Sequence, residues 1–277
     1  MRHRTWILGA SVALVGLLLV GCSPEPIDAT AGPDGAVLFL SPPSQAYQTS
    51  TITALLAGDY DGDLTCGELL EHGDFGLGTF DGLDGEMIVL DGVVYRARLN
   101  GDIEVVDDAE ETPFAVVTFF EEWGFGFGPL APADMDDLKK SLAGMMSDSQ
   151  KPHAFHIRGT FETLLTRSVP KQSKPYPPLT EAIKGQQERE HTNIKGTIVG
   201  FYFPKWAAGA NVAGYHFHFI SDDKTVGGHV LAMYATSLDI RLVDCDSVFI
   251  ELLEDASGAP TLTPEDQHKV LQDIESR

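Results

Sequence analysis

The chain has 277 residues, with 19 basic and 41 acidic side chains and a formal net charge of −22. That length fits one large domain or two moderate ones, and a hydrophobic fraction of 43% is enough to bury a core without disulfide staples. The acidic balance excludes a nucleic-acid-binding surface and docking on anionic lipid headgroups, because there is no basic surplus to meet phosphates.

Arg2 and Arg4 precede an apolar run over residues 6–20, too short for a comfortable membrane span and shaped like a signal h-region. The run ends in Leu19-Val20-Gly21-Cys22, which resembles a lipobox. The expectation is a signal peptide over 1–21, cleavage before Cys22 and acylation of that residue. Membrane contact would then be through a lipid anchor alone, on an exported protein of the cell envelope or periplasm. Residues 22–48, rich in Pro, Ala, Gly and Ser, read as a flexible tether.

Thr65-Cys66-Gly67-Glu68 has capping-box spacing and predicts one or two helical turns, closed by Gly73. Residues 73–86 are too glycine-dense for a helix and read as a loop. Strands are expected at 87–90, 93–99 and 103–106, the last two joined by a turn at Asn100-Gly101, and again at 115–120. Met135, Leu138, Leu142 and Met145 fall at helical spacing and predict an amphipathic helix over 133–147, its methionines packed in a core. Residues 154–169 alternate like a long strand, 170–178 are proline-rich and irregular, and 181–190 suit a short polar helix. Strand patterns then dominate at 194–203, 215–220, 229–233, 237–243 and 247–252. Thr263-Pro264 opens a last helix whose apolar side carries Val270, Leu271 and Ile274. The class is α+β, mixed sheets with a few helices. The expected division is an N-terminal mixed-sheet subdomain over 49–155 and a C-terminal metal-binding one over 156–277.

Besides Cys22 the chain has Cys66 and Cys245. An exported setting permits a disulfide between them, but they read as two isolated buried thiols, and neither lies in a Cys-x-x-Cys pair.

The chemistry is concentrated in histidines. His216 and His218, in Tyr215-His216-Phe217-His218-Phe219, project from one face of a strand, while the aromatic residues between and beside them face a core. The polar, glycine-ended segment 221–228 is a natural turn, and the returning chain brings His229 opposite His218, with cross-strand Cβ atoms about 5 Å apart. Three imidazoles with an open fourth position suit a catalytic zinc, although Fe, Mn, Ni or Cu also accept such ligands. His153 and His156, three apart in a strand, read as structural; His72, His191 and His268 carry no spacing signal.

Several separated segments resemble, in order, the bacterial α-acetolactate decarboxylase family. They are Gly76-Leu77-Gly78-Thr79, Leu83-Asp84-Gly85-Glu86-Met87, Arg167-Ser168-Val169-Pro170-Lys171-Gln172, Pro175-Tyr176-Pro177, Gly200-Phe201-Tyr202 and the histidine hairpin. The resemblance implies an α+β fold, a homodimer, and conversion of the anion 2-acetolactate to acetoin and carbon dioxide. It implies zinc (Zn2+) on His216, His218 and His229, catalytic residues Glu86, Arg167 and Glu275, and a substrate-binding Thr79. Lys171 joins the substrate-binding residues on charge, because in so acidic a chain local positive potential must draw the anionic substrate. Without it, Glu86 reads as a turn carboxylate and Arg167 as a surface strand residue. Two other functions suit the histidines: a non-catalytic zinc-binding exported lipoprotein, and a cupin-like metal oxygenase. A cupin, however, would place a glutamate soon after His-x-His, where this chain has Ile220, Ser221 and Asp222.

Overall fold

The computed structural model describes residues 44–120, 125–130 and 133–252, with 267, 269–271 and 274 in the C-terminal segment. The signal peptide, Cys22, most of the expected tether, Thr263-Pro264, His268 and Glu275 lie outside the described residues.

The first half of the described chain runs through β1 (Gln45–Thr49), α1 (Ile52–Ala57), β2 (Leu64–Thr65), α2 (Cys66–Leu70), β3 (Phe75–Thr79), β4 (Glu86–Leu90), β5 (Val93–Ala97), β6 (Ile103–Val105), β7 (Glu111–Thr112) and β8 (Ala115–Thr118). The second half holds β9 (Phe125–Leu130), β10 (Ala133–Asp134), α3 (Met135–Met145), β11 (His153–Ser168), α4 (Leu179–Ala182), β12 (Gln187–Phe203), β13 (Gly214–Ser221), β14 (Gly227–Asp244) and β15 (Ser247–Glu251).

Two sheets carry the fold. The first has seven strands in the order β15-β1-β8-β3-β4-β5-β6, with β15 parallel to β1 and the other pairs antiparallel. In the second, β14 pairs with β11, β11 with β12 and β12 with β13. The start of β14 also pairs with β13, so this circuit closes on itself. β9 and β10 add to β14. The sheets therefore do not divide the chain at residue 155. Residues 125–134 belong to the second sheet, and β15 returns to the first through a parallel pairing across the whole described length, for which a local pattern carries no signal.

Several expectations change for identifiable reasons. The glycine-dense segment is not all loop: β3 is a central strand. A Cβ on Gly78 would lie 2.4 Å from the Phe114 carbonyl oxygen, and one on Gly76 would lie 2.3 Å from that of Val116. These glycines allow close backbone approach rather than a turn. The expected tether ends inside β1. The helix over 181–190 is confined to α4 and one 3-10 turn, after which Gln187 onward is strand paired with β11. The strands expected at 229–233 and 237–243 are one long β14. The capping box of α2 is present, Thr65 and Glu68 each satisfying the other's backbone N–H, but the helix ends at Glu71 rather than at Gly73. The Asn100-Gly101 turn joins β5 to β6 as expected, within the longer loop 98–102.

One core lies between the two sheets. Phe75, Leu77, Ile88, Leu90 and Val116 of the first sheet cluster with Ala154, Val199, Phe201 and Ile220 of the second. Each fully buried Leu, Ile or Phe there contributes roughly 1.5–3 kcal/mol, which fixes the sheets face to face. A second core packs Leu138 and Leu142 of α3 on Phe155, Ile157, Phe217 and Phe219, with Met135 and Met145 partly buried against it, as the periodicity predicts. A third surrounds α1 and takes in Leu271 and Ile274, the apolar side expected of the last helix. Cys66 and Cys245 are buried free thiols in different clusters, and burial pushes both up to about 12, so they are inert. His153 and His156 are structural: His153 is fully buried with Nε2 3.1 Å from Asp244, and His156 packs on Phe75 and Phe120.

Candidate metal centre

The histidine hairpin forms in the expected register. His216 and His218 stand on β13, β14 returns antiparallel, and His218 is paired directly with His229. Phe217 and Phe219 are buried in the α3 core on the opposite face. Gly228, second in β14 and one residue before His229, has φ +146°, and an added Cβ would lie 2.7 Å from the Arg167 carbonyl oxygen. Gly228→Ala should therefore lower stability by about 1–3 kcal/mol and displace both His229 and Arg167. Urea unfolding and zinc content check this; a variant with native stability and full metal would contradict the strain argument.

One ring nitrogen from each of the three histidines lies within 4.8 Å of the other two, and Nε2 of His216 is 3.1 Å from Nε2 of His218. The nitrogen–nitrogen edge of a tetrahedral site with bonds of about 2.0–2.1 Å is roughly 3.3 Å. His218 Nδ1 is 2.7 Å from the Met87 carbonyl oxygen. That oxygen can only accept, so Nδ1 carries the proton and the Nε2 lone pair faces its neighbours. His216 Nδ1 is buried without a hydrogen-bond partner. Burial, reinforced by neighbouring positive charge, drives all three imidazoles toward the neutral, metal-binding form. His218 is pushed down to about 3, and His216 and His229 lie well below their ordinary value. Donor type, spacing and protonation thus all fit a divalent ion such as zinc.

The first sheet supplies the carboxyl. Glu86 opens β4, paired with Thr79 at the end of β3, and its Oε2 is 3.5 Å from His218 Nε2. Burial pushes Glu86 up to about 7, against the opposing pull of the Arg167 guanidinium and of a hydrogen bond from the Val169 backbone N–H. Arg167 lies near the end of β11, between His229 on β14 and Glu188 on β12, and is only 5% exposed. Its Nη1 donates to Gln186 Oε1 at 3.3 Å, while its Nε is buried without a hydrogen-bond partner. Thr79 Oγ1 donates to the Gly85 carbonyl at 2.8 Å, which shapes the turn before Glu86. The same turn is tied to the segment after Arg167: Gln172 N donates to the Gly82 carbonyl at 2.6 Å, and Lys171 Nζ to Asp84 at 3.2 Å.

The structure thus brings the three histidines, Glu86, Arg167 and Thr79 around one cleft of about 550 Å³, part of it open to solvent. Its remaining lining is apolar and includes Leu55, Phe114, Leu271 and Ile274. Lys171 is not among the lining residues; its ammonium is exposed and engaged with Asp84. Glu275 lies outside the described residues, although Ile274 beside it reaches the cleft. Sequence reasoning missed the Met87 carbonyl that orients His218, because a main-chain acceptor leaves no mark on residue identity. It also missed Gln186, whose role depends on what the fold sets beside it.

Residues 46–257 match the family model described as alpha-acetolactate decarboxylase. The chain belongs to the α-acetolactate decarboxylase family. It is 45% identical over 202 residues to the α-acetolactate decarboxylase of Methylococcus capsulatus, covering 73% of this chain and 76% of that protein. It is 42% identical over 204 residues to that of Bacillus subtilis, covering 74% and 77%. The crystal structure of α-acetolactate decarboxylase from Bacillus subtilis strain 168 superposes with a TM-score of 0.79 at 35% identity, covering 84% of this chain and 100% of that one. The chain is therefore an enzyme, an acetolactate decarboxylase. A cupin-like oxygenase and a non-catalytic zinc-binding protein both fall away as readings of the histidine hairpin.

Proposed function

We propose that the chain decarboxylates 2-acetolactate with zinc on His216, His218 and His229, with Arg167 orienting the substrate and Glu86 delivering the proton that completes acetoin. The observation that carries this reading is the meeting of three neutral imidazoles, a buried carboxyl and a buried guanidinium in one cleft. Zinc held there supplies a Lewis acid for the ketone and hydroxyl oxygens of the substrate.

The side chains of the chain do the rest. Arg167 has a buried Nε–H without a hydrogen-bond partner, so it can meet a carboxylate through paired, charge-assisted hydrogen bonds. Holding a leaving carboxylate tightly stabilises the ground state as well as the transition state, so this contact acts chiefly on KM. When the C1–C2 bond breaks, its electron pair passes toward the C3 oxygen as carbon dioxide leaves, and C2 then needs a proton. Protonated Glu86 gives that proton from one side of the cleft, which makes the acetoin chiral. The apolar part of the lining limits the water that could protonate C2 from either face. Glu275, adjacent to Ile274, is the second carboxyl that the family resemblance implies, and Thr79 fixes the Glu86 turn. Lys171 acts at most on local potential, since Asp84 holds it.

The test is to incubate purified protein lacking residues 1–22 with racemic 2-acetolactate and to measure acetoin. Acetoin formation that stops on chelation and returns with zinc supports the reading. A folded, zinc-loaded protein that makes no acetoin would sink it.

Assembly as a homodimer is part of the same proposal and rests on the family resemblance. Export as a lipid-anchored protein rests on residues 1–22. Cys22→Ala should abolish incorporation of labelled palmitate and release the enzyme from the membrane fraction. Labelling that persists in the variant would overturn the anchor.

A further inference from the structure

The charge on Arg167 has an unusual setting. Glu188 occupies the position directly across the β11–β12 ladder, where opposite charges would ordinarily pair. The two do not form an ion pair; Gln186 stands between them. Its Oε1 accepts from Arg167 Nη1 at 3.3 Å, and its Nε2 donates to Glu188 Oε1 at 2.9 Å. The two charges fix the orientation of the amide, oxygen toward the cation and nitrogen toward the anion.

We propose that Gln186 is a positioning residue that spaces Glu188 from Arg167, so that the guanidinium is held in place yet keeps its charge for the substrate carboxylate. The inference rests on reading Arg167 as the anion-binding group. The chemistry of the alternatives shows why an amide suits the position. A carboxylate at 186 would hold Arg167 equally well but neutralise it, in the bidentate pairing that guanidinium and carboxylate favour. An aliphatic side chain would leave Arg167 charged but untethered, and free to turn toward Glu188. Only a neutral acceptor that also donates satisfies both neighbours. In a chain of net charge −22, a local cation kept available helps to draw an anion into the cleft.

The test compares Gln186→Glu, Gln186→Leu and Arg167→Gln in zinc-loaded protein, by kcat, KM for 2-acetolactate, the salt dependence of kcat/KM and the thermal midpoint. Gln186→Glu should raise KM about tenfold, the equivalent of one charge-assisted hydrogen bond, with kcat within about twofold. Its salt dependence should change toward that of Arg167→Gln, because the attraction being screened is gone. Its thermal midpoint should hold or rise, since an ion pair has been added. Gln186→Leu should raise KM less and lower kcat, because Arg167 is then misplaced rather than neutralised. A purely structural role predicts instead that both variants lose activity in step with thermal midpoint, and that result would overturn the proposal. So would wild-type KM and salt dependence in Gln186→Glu while Arg167→Gln raises KM. An unchanged KM in Arg167→Gln would overturn the Arg167 reading itself, and this inference with it.

Discussion

Glu86→Gln is expected to lower kcat by about 10²–10⁴-fold, the range for removing a general acid, while zinc content stays at wild-type level. The substitution is nearly isosteric and keeps an oxygen to accept the hydrogen bond from Val169 N–H. It suits the buried site, because a neutral amide carries none of the desolvation cost that pushes the carboxyl up. The group lost is the transferable proton. The three imidazoles are untouched, and His218 keeps its hydrogen bond to the Met87 carbonyl. Parallel measurement of kcat, acetoin enantiomer ratio and bound zinc separates the outcomes. A fall in kcat with full zinc and a less selective product would assign the proton to Glu86. Wild-type kcat would remove Glu86 from the chemistry and leave Glu275 as the donor.

Removal of one histidine should be as severe by a different route. His216→Ala leaves two of the three imidazoles, which is below the ligand count of a catalytic zinc site. Zinc should be lost on dialysis, and kcat should fall by about 10³-fold or more, several kcal/mol of transition-state stabilisation at a factor of ten for each ~1.4 kcal/mol. His216 is the least buried of the three, so little packing is disturbed. His218→Ala should lose zinc equally but also cost about 1–3 kcal/mol of stability, because the buried Met87 carbonyl loses its donor. Metal analysis beside chemical unfolding distinguishes the two variants. Retained zinc and activity in His216→Ala would exclude it as a ligand.

Much of this site can be read along the chain, and the readable part is local. His216 and His218 share a strand face because side chains alternate with period two. The short polar segment ending in Gly227-Gly228 returns the chain with His229 opposite His218. The helix carrying Leu138 and Leu142 and the capping box at Thr65 are legible for the same reason, since their signals lie within a few residues. Glu86 and Arg167 are different. Nothing near either residue distinguishes a catalytic group from a surface charge, and the family resemblance alone marked them. Charge alone suggested Lys171, which the structure instead sets on Asp84.

By itself, then, the sequence determined the three-histidine hairpin, the α+β class and the acidic charge of the chain. Only the tertiary structure decided what the hairpin faces. His218 is oriented by Met87, 131 positions away in the chain, because the β4 strand and the β13 strand are pressed together across the core between the sheets. Glu86 becomes a buried acid, and Arg167 a buried cation beside an amide, through the same packing. Burial and the contacts that shift a group's charge are properties of neighbours brought together by nonlocal apolar association, and local periodicity carries no record of which neighbours those are.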